Sequence, residues 1–109
     1  MTKTKIWISF DLGLDGDYDN LFHWIDLHDG TECGDHLAFV KYEFEGDLEV
    51  SLVHDLSEAI AIRPRDRIYI IYTQGDERRT AGKFLFGGRK QAPWAGYATK
   101  DSGDSEDLA

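Results

Sequence analysis

The stretch Ile6-Trp-Ile-Ser-Phe-Asp11 decides how the rest of the chain is read, because apolar side chains occupy every second position. On a strand, successive side chains point to opposite faces, so Ile6, Ile8 and Phe10 share one side and Trp7, Ser9 and Asp11 the other. The first set needs an apolar cover, and the sequence supplies one downstream. Leu21, Trp24, Ile25 and His28 recur at i, i+3, i+4 and i+7 before an Asp29-Gly30 stop, which predicts an amphipathic helix over 18–29. Asp47 is a good N-cap for a second helix, in which Leu48, Leu52, Leu56 and Ile60 fall four apart. That helix must end before Arg63-Pro64, since proline disfavours a helical residue ahead of it.

The remaining apolar runs are strands. His36–Phe44 is rich in aromatic and β-branched residues and ends at Glu45-Gly46, and it is preceded by a short strand at Thr31–Cys33 with a turn at Gly34-Asp35. Arg67–Thr73 is the next, Gln74–Gly82 is a polar connection, and Lys83–Phe86 returns as its hairpin partner. Two helices separated in this way by strands pack on one side of an antiparallel sheet, because right-handed crossovers place them on the same face. The expected fold is therefore α+β, a ferredoxin-like βαββαβ sandwich with an added C-terminal strand, formed as a single domain over 1–98. Residues 87–98 extend it and 99–109 are expected to be a disordered acidic tail. In this fold Ile6, Ile8, Phe10, Ala38, Val40, Tyr42, Phe44, Ile68, Ile70 and Tyr72 meet the helices. Trp7, Ser9, Asp11, Leu37, Phe39, Lys41, Glu43, Tyr69 and Ile71 face outward. Such an outward face is too apolar to stay wet comfortably. A second subunit covers it, or residues 87–98 fold back over it; a homodimer is the expectation.

Charge narrows the function classes. The net charge is −9, but residues 1–60 carry 14 acids against Lys3, Lys5 and Lys41, whereas residues 61–100 carry nine Lys or Arg against three acids. Such a chain repels nucleic acid over most of its surface and is suited to a basic protein patch. Cys33 is the single cysteine. It has no disulfide partner and no zinc-ligand spacing, so it is expected to be a small turn or core residue in a reducing cytoplasm. No basic-then-apolar leader opens the sequence and no apolar run reaches bilayer length, so an intracellular, membrane-free protein is expected.

Asp15, Asp17 and Asp19 imitate the start of a calcium loop, and Asp26 falls at its twelfth position. The sixth position, where glycine permits the turn, is Asn20, and the middle of the loop would hold Leu21, Phe22, Trp24 and Ile25. The economical account is that Asp15 or Asp17 caps the helix while the others complement its positive end. Asp11 differs, because it closes the first strand on the outward face, where a carboxylate can serve as a metal ligand if a twofold axis brings two copies together.

The strand ending Ser9-Phe-Asp-Leu-Gly13, the acidic helix after it, the run His36–Asp47, the Leu-rich second helix and Arg67–Tyr72 together resemble the small CRISPR-associated and VapD-type ferredoxin-like nucleases, over about residues 5–73. Some members of that group cleave RNA or DNA as dimers, using the aspartate that Asp11 matches to bind metal; others show no activity. The resemblance thus implies Asp11 as catalytic residue and as ligand to Mg or Mn, with Ser9 beside it. The chain departs from the group in its first helix, which has no Lys or Arg for phosphate contacts.

Other constellations are weaker. His23, His28, His36 and His54 are dispersed without ligand spacing, His23 and His54 as exposed helix positions. Ser9, His36 and Asp11 form a catalytic triad only on paper, without a nucleophile elbow. The segment Phe86–Tyr97 mixes Gly87-Gly88, Arg89, Lys90, Trp94 and Tyr97. Arg89 and Lys90 suit a phosphate or an acidic peptide, and Trp94 and Tyr97 suit stacking on a base or a partner. Alternatively, Pro93 and Trp94 pin the chain to an apolar groove while Arg89 and Lys90 pair with acids. The cluster Arg63, Arg65, Arg67, Arg78 and Arg79 reads as a solvated turn region.

Two functional classes follow. One is a cofactor-free protein-interaction module, a component or inhibitor of nucleic-acid-handling machinery in defence or mobile elements, binding through Trp7, Phe39, Tyr69, Ile71, Arg89, Lys90, Trp94 and Tyr97. The alternative is a metal-dependent nuclease built on Asp11.

Overall fold

In a computed structural model of the chain, which describes residues 2–74 and 79–99, seven elements follow in order. They are strand β1 (Thr2–Asp11), helix α1 (Tyr18–Leu27), strands β2 (Thr31–Gly34) and β3 (Leu37–Phe44), helix α2 (Leu48–Ala59), and strands β4 (Arg67–Gln74) and β5 (Arg79–Phe86). The protein is α+β: the strands form one antiparallel five-stranded sheet in the order β2-β3-β1-β4-β5. β1 is central, and its partners are remote in sequence. Ile8 lies opposite Ala38 on one side and Ile70 on the other.

Parity along β1 decides where the core sits. Ile6, Ile8, Phe10, Ala38, Val40, Tyr42, Ile68 and Ile70 are buried in one cluster with Leu21 and Trp24 of α1 and Leu52 and Leu56 of α2. Both helices therefore cover the same sheet face. Phe44 and Tyr72 are partly buried against the cluster, so the expected inward set is the observed one. Each fully buried side chain of this size contributes about 1.5–3 kcal/mol relative to exposure.

The helices begin where their caps require. The Asp47 carboxylate accepts from Val50 N–H at 2.9 Å. Asp17 accepts from Asn20 N–H and also from Ala61 N–H at 2.9 Å, so one carboxylate caps α1 and ties down the chain leaving α2. α1 stops at Leu27, where Asp29 takes a left-handed conformation at φ 53°. Gly30 follows because a Cβ there would lie 2.3 Å from Ile25 Cγ2. Tyr42 Oη bonds Ser51 Oγ at 2.9 Å and the Asp55 carboxylate, which fastens α2 to the sheet. Lys83 reaches Glu49 at 2.6 Å and ties β5 to α2.

Three expectations change. β5 starts at Arg79 rather than Lys83, because Ala81, Thr80 and Arg79 pair with Tyr72, Thr73 and Gln74; the polar side chains of this edge strand hid its periodicity. Cys33 is neither turn nor core. It is exposed on β2, its thiol donating to Thr31 O at 3.6 Å. Trp94 does not pin the C-terminal segment to an apolar groove, being 74% exposed. Residues 97–99 form a helical turn, and the rest of the expected acidic tail lies outside the described residues. Among the described residues, no helix is long and apolar enough to cross a membrane.

Candidate functional site

The sheet face opposite the helices is built in transverse rows. Phe39, Trp7, Ile71 and Gly82 line up across β3, β1, β4 and β5, and the next row is Leu37, Ser9, Tyr69 and Phe84. The rows hold two aromatic stations. Trp7 and Phe39 meet at 5.0 Å between ring centroids. Tyr69 and Phe84 meet edge-on at 4.8 Å, with the Arg89 guanidinium 5.7 Å from each ring centre. Ile71, 36% exposed, sits between the stations. Gly82 leaves the space that the Tyr69 phenol occupies over β5, since a Cβ there would lie 2.2 Å from Tyr69 Oη.

At one end of the face the β1–β4 register sets Asp11 opposite Arg67. Their side chains bond at 3.1 Å, Lys90 stands 4.0 Å from the same carboxylate oxygen, and Arg67 also donates to Gly88 O at 3.4 Å. The Arg67 hydrogen bond, with its charge and that of Lys90, holds the Asp11 carboxyl below its ordinary value. Gly87 makes this closure possible. It has φ 74°, and a Cβ there would lie 2.6 Å from Asp66 O, so the chain leaving β5 doubles back against the start of β4 and delivers Arg89 and Lys90.

At the other end, Lys3 pairs with Glu43 at 3.7 Å, while Lys5 lies directly opposite Lys41. Neither Lys5 nor Lys41 has a carboxylate partner among the described residues, and like charges opposite one another across a sheet are destabilising. Beside them, at the β3 edge, is a recess of about 390 Å³ lined by Lys3, His28, Asp29, Thr31, Phe39 and Lys41.

Charge is thus sorted by face. Among the described residues, the open face and its margin bring together Lys3, Lys5, Lys41, Arg67, Arg89 and Lys90 against Asp11, Asp29 and Glu43. The helix layer is the reverse: α1 and α2 carry Asp19, Asp26, Glu49, Asp55 and Glu58 and neither Lys nor Arg.

Of the residues singled out from sequence, the structure brings together Trp7, Phe39, Tyr69, Ile71, Arg89, Lys90, Ser9 and Asp11. It leaves Trp94 and Tyr97 largely exposed, at 74% and 62%. Ser9 and His36 are not assembled, because the His36 ring packs edge-on against Phe10 on the helix side of the sheet. Of the calcium-like run, Asp17 caps α1 and Asp19 lies in its first turn. For a divalent metal at Asp11 the donor set does not fit within one chain. Its neighbours are cations, and no group of three or more His, Cys, Asp or Glu suited to a metal occurs among the described residues. From sequence, Lys3 and Lys5 count only as charges, Phe84 only as a strand residue, and Arg67 reads as part of a solvated turn region; Arg67 instead lies on β4 and pairs with Asp11. Lys3 and Lys5 share the parity of Trp7, a legible signal, whereas Arg67 meets Asp11 only through a register 56 residues long.

Comparison with protein families, with curated proteins and with solved structures finds no match for this chain.

Proposed function

We propose that the protein is a small interaction module rather than an enzyme, binding through the helix-free face of its sheet within nucleic-acid-handling machinery. The observation that supports this reading is the apolar surface of Trp7, Phe39, Tyr69, Phe84 and Ile71, which neither helix covers because both serve the other side. A surface of that kind marks a binding site more often than a solvated face. The acidic helix layer offers a separate surface to a basic protein patch. The ferredoxin-like description belongs to the same proposal, supported by the order of elements and the one-sided helices, with β5 as an addition at the β4 edge. A reducing cytoplasm suits an exposed thiol at Cys33. A homodimer, if formed, is better placed on other surfaces, because a twofold contact through the open face would set its cations against their copies.

The test uses the full chain, Trp7→Ala/Phe39→Ala and, as control, Leu14→Ala, a fully exposed position ahead of α1, as baits in a lysate of the source cells. Protein or nucleic acid retained by the wild type and the control but lost from the double variant is expected. Equal retention by all three would remove the open face as the working surface.

The second reading is a metal-dependent phosphodiesterase. What favours it is the position of Asp11 at the end of the central strand, beside Arg67 and Lys90, two cations able to meet a phosphate. Cleavage of RNA or DNA that needs Mg or Mn and vanishes in Asp11→Asn would establish it; intact substrate with pure protein and either metal would dismiss it.

A further inference from the structure

The charge sorting says what covers the open face. We propose that its occupant is single-stranded nucleic acid, bases stacked on the two aromatic stations and phosphates held by the surrounding lysines and arginines. This inference rests on the open face being the binding surface and adds the chemistry of the ligand.

Three features converge on that ligand. The rings are surface-facing and divided between strands, with Trp7 and Phe39 on β1 and β3 and Tyr69 and Phe84 on β4 and β5. Stacking surfaces of this kind on a sheet take two or three unpaired bases, and Arg89 adds a planar cation over the second station. The other five cations, Lys3, Lys5, Lys41, Arg67 and Lys90, lie around the rings. Lys5 and Lys41, without a carboxylate partner among the described residues, face each other across β1 and β3, and a cross-strand cation pair is relieved by an anion bound between the ammonium groups. Finally, the recess of about 390 Å³ beside the first station, where Lys3, His28, Thr31, Phe39 and Lys41 meet a single acid, Asp29, falls in the size range of small-ligand sites.

The alternatives fit less well. A second copy of the same face brings cations to cations. An acidic peptide uses the lysines and leaves four aromatic rings without partners that have a flat face. Duplex DNA or RNA hides its bases inside the helix. The net charge of −9 does not stand in the way. The acids of the helix layer are separated from a ligand on the sheet by a helix about 10–12 Å across, more than the screening length of about 8 Å at physiological salt.

The experiment is fluorescence anisotropy of the full chain with labelled oligo(dT) and oligo(U) of about twelve nucleotides, a duplex of equal length and a labelled polyglutamate peptide. Binding of a single strand is expected, tighter than either the duplex or the peptide and weakened by salt. Trp7→Ala, and separately Phe84→Ala, should each lower affinity about tenfold, with the fold verified by circular dichroism. Lys5→Gln/Lys41→Gln should reduce the slope of log affinity against log salt by about 1.4, for two phosphate contacts on a single strand. Absence of single-strand binding at low salt overturns the proposal, as does equal binding of the duplex or of polyglutamate, or affinity unchanged by Trp7→Ala and Phe84→Ala. If oligonucleotides fail while the lysate experiment still shows partners lost with Trp7 and Phe39, the ligand is wrong and the surface stands. If both fail, the surface is wrong as well.

Discussion

Asp17 shows how much one side chain can organise. Its carboxylate accepts from Asn20 N–H, Asn20 Nδ2 and, across the gap between helices, Ala61 N–H. Asp47 satisfies a single donor, Val50 N–H. Asp47→Ala should cost about 1 kcal/mol in urea denaturation, the usual value for a lost cap. Asp17→Ala should lower the urea midpoint further, because it orphans donors at both helices; an equal or smaller loss would show that the Ala61 contact contributes nothing. The Ala61 hydrogen bond, with Asn20, holds the Asp17 carboxyl below its ordinary 3.8. Its contribution is therefore complete above that pH and is lost as pH falls through the lower folded value. Tyr42 runs the other way. Burial, then the hydrogen bond to Asp55, raises its pKa from 10.0 to about 12, so its contribution is complete below pH 10 and disappears as pH rises toward 12. Tyr42→Phe should cost about 2 kcal/mol at neutral pH by stranding Asp55 and Ser51, and it should flatten the loss of stability above pH 10 that the wild type shows.

Among the elements, β5 is the one whose role depends most on its neighbours. It is the edge strand beside β4, tied to α2 by Lys83 and Glu49 and to the open face by Phe84. Its glycine at position 82 is a seat for Tyr69 rather than a flaw in the strand. Gly82→Val should raise the intrinsic strand preference and still displace the phenol, since the new Cβ would fall 2.2 Å from Tyr69 Oη. The expected result is a changed near-ultraviolet circular dichroism spectrum and loss of the ring-current shifts that the Tyr69 and Phe84 rings impose on each other and on Arg89. Spectra identical to the wild type would show that the ring does not lie across β5. Periodicity revealed β1, β3, β4 and both helices because each has an apolar stripe to bury. It missed the first half of β5, where Arg79 and Thr80 are exposed on an edge and no stripe exists.

At the scale of the whole molecule, the two sheet faces should respond differently to the same kind of truncation. Leu52 is fully buried among helix and sheet side chains, so Leu52→Ala should cost about 2–5 kcal/mol. Phe39→Ala on the open face should cost about 1 kcal/mol or less, comparable to other substitutions outside the core. Thermal and urea unfolding of the two variants checks this; a Phe39→Ala loss as large as that of Leu52→Ala would mean that the open face is part of the core. The same division explains why a chain of net charge −9 presents a basic surface. Acids occupy the outer sides of helices, and the lysines of the first 60 residues all occupy odd positions on strands.

What the sequence by itself determined is what local periodicity encodes: which segments, apart from the first half of β5, are strands or helices, which side of each is apolar, that Asp15 or Asp17 starts the first helix and Asp47 the second, and that Trp7, Phe39, Tyr69 and Ile71 look away from the helices. Each of these depends on residues within a few positions of one another. Only the tertiary structure decided that Asp11 meets Arg67 and Lys90, that Lys5 faces Lys41, that Tyr69 rests on Gly82 and that Arg89 covers it. Those contacts depend on strand register and on the path of the chain after Gly87, which are set by packing over long sequence separations, and a shift of one residue would send every side chain of a strand to the opposite face.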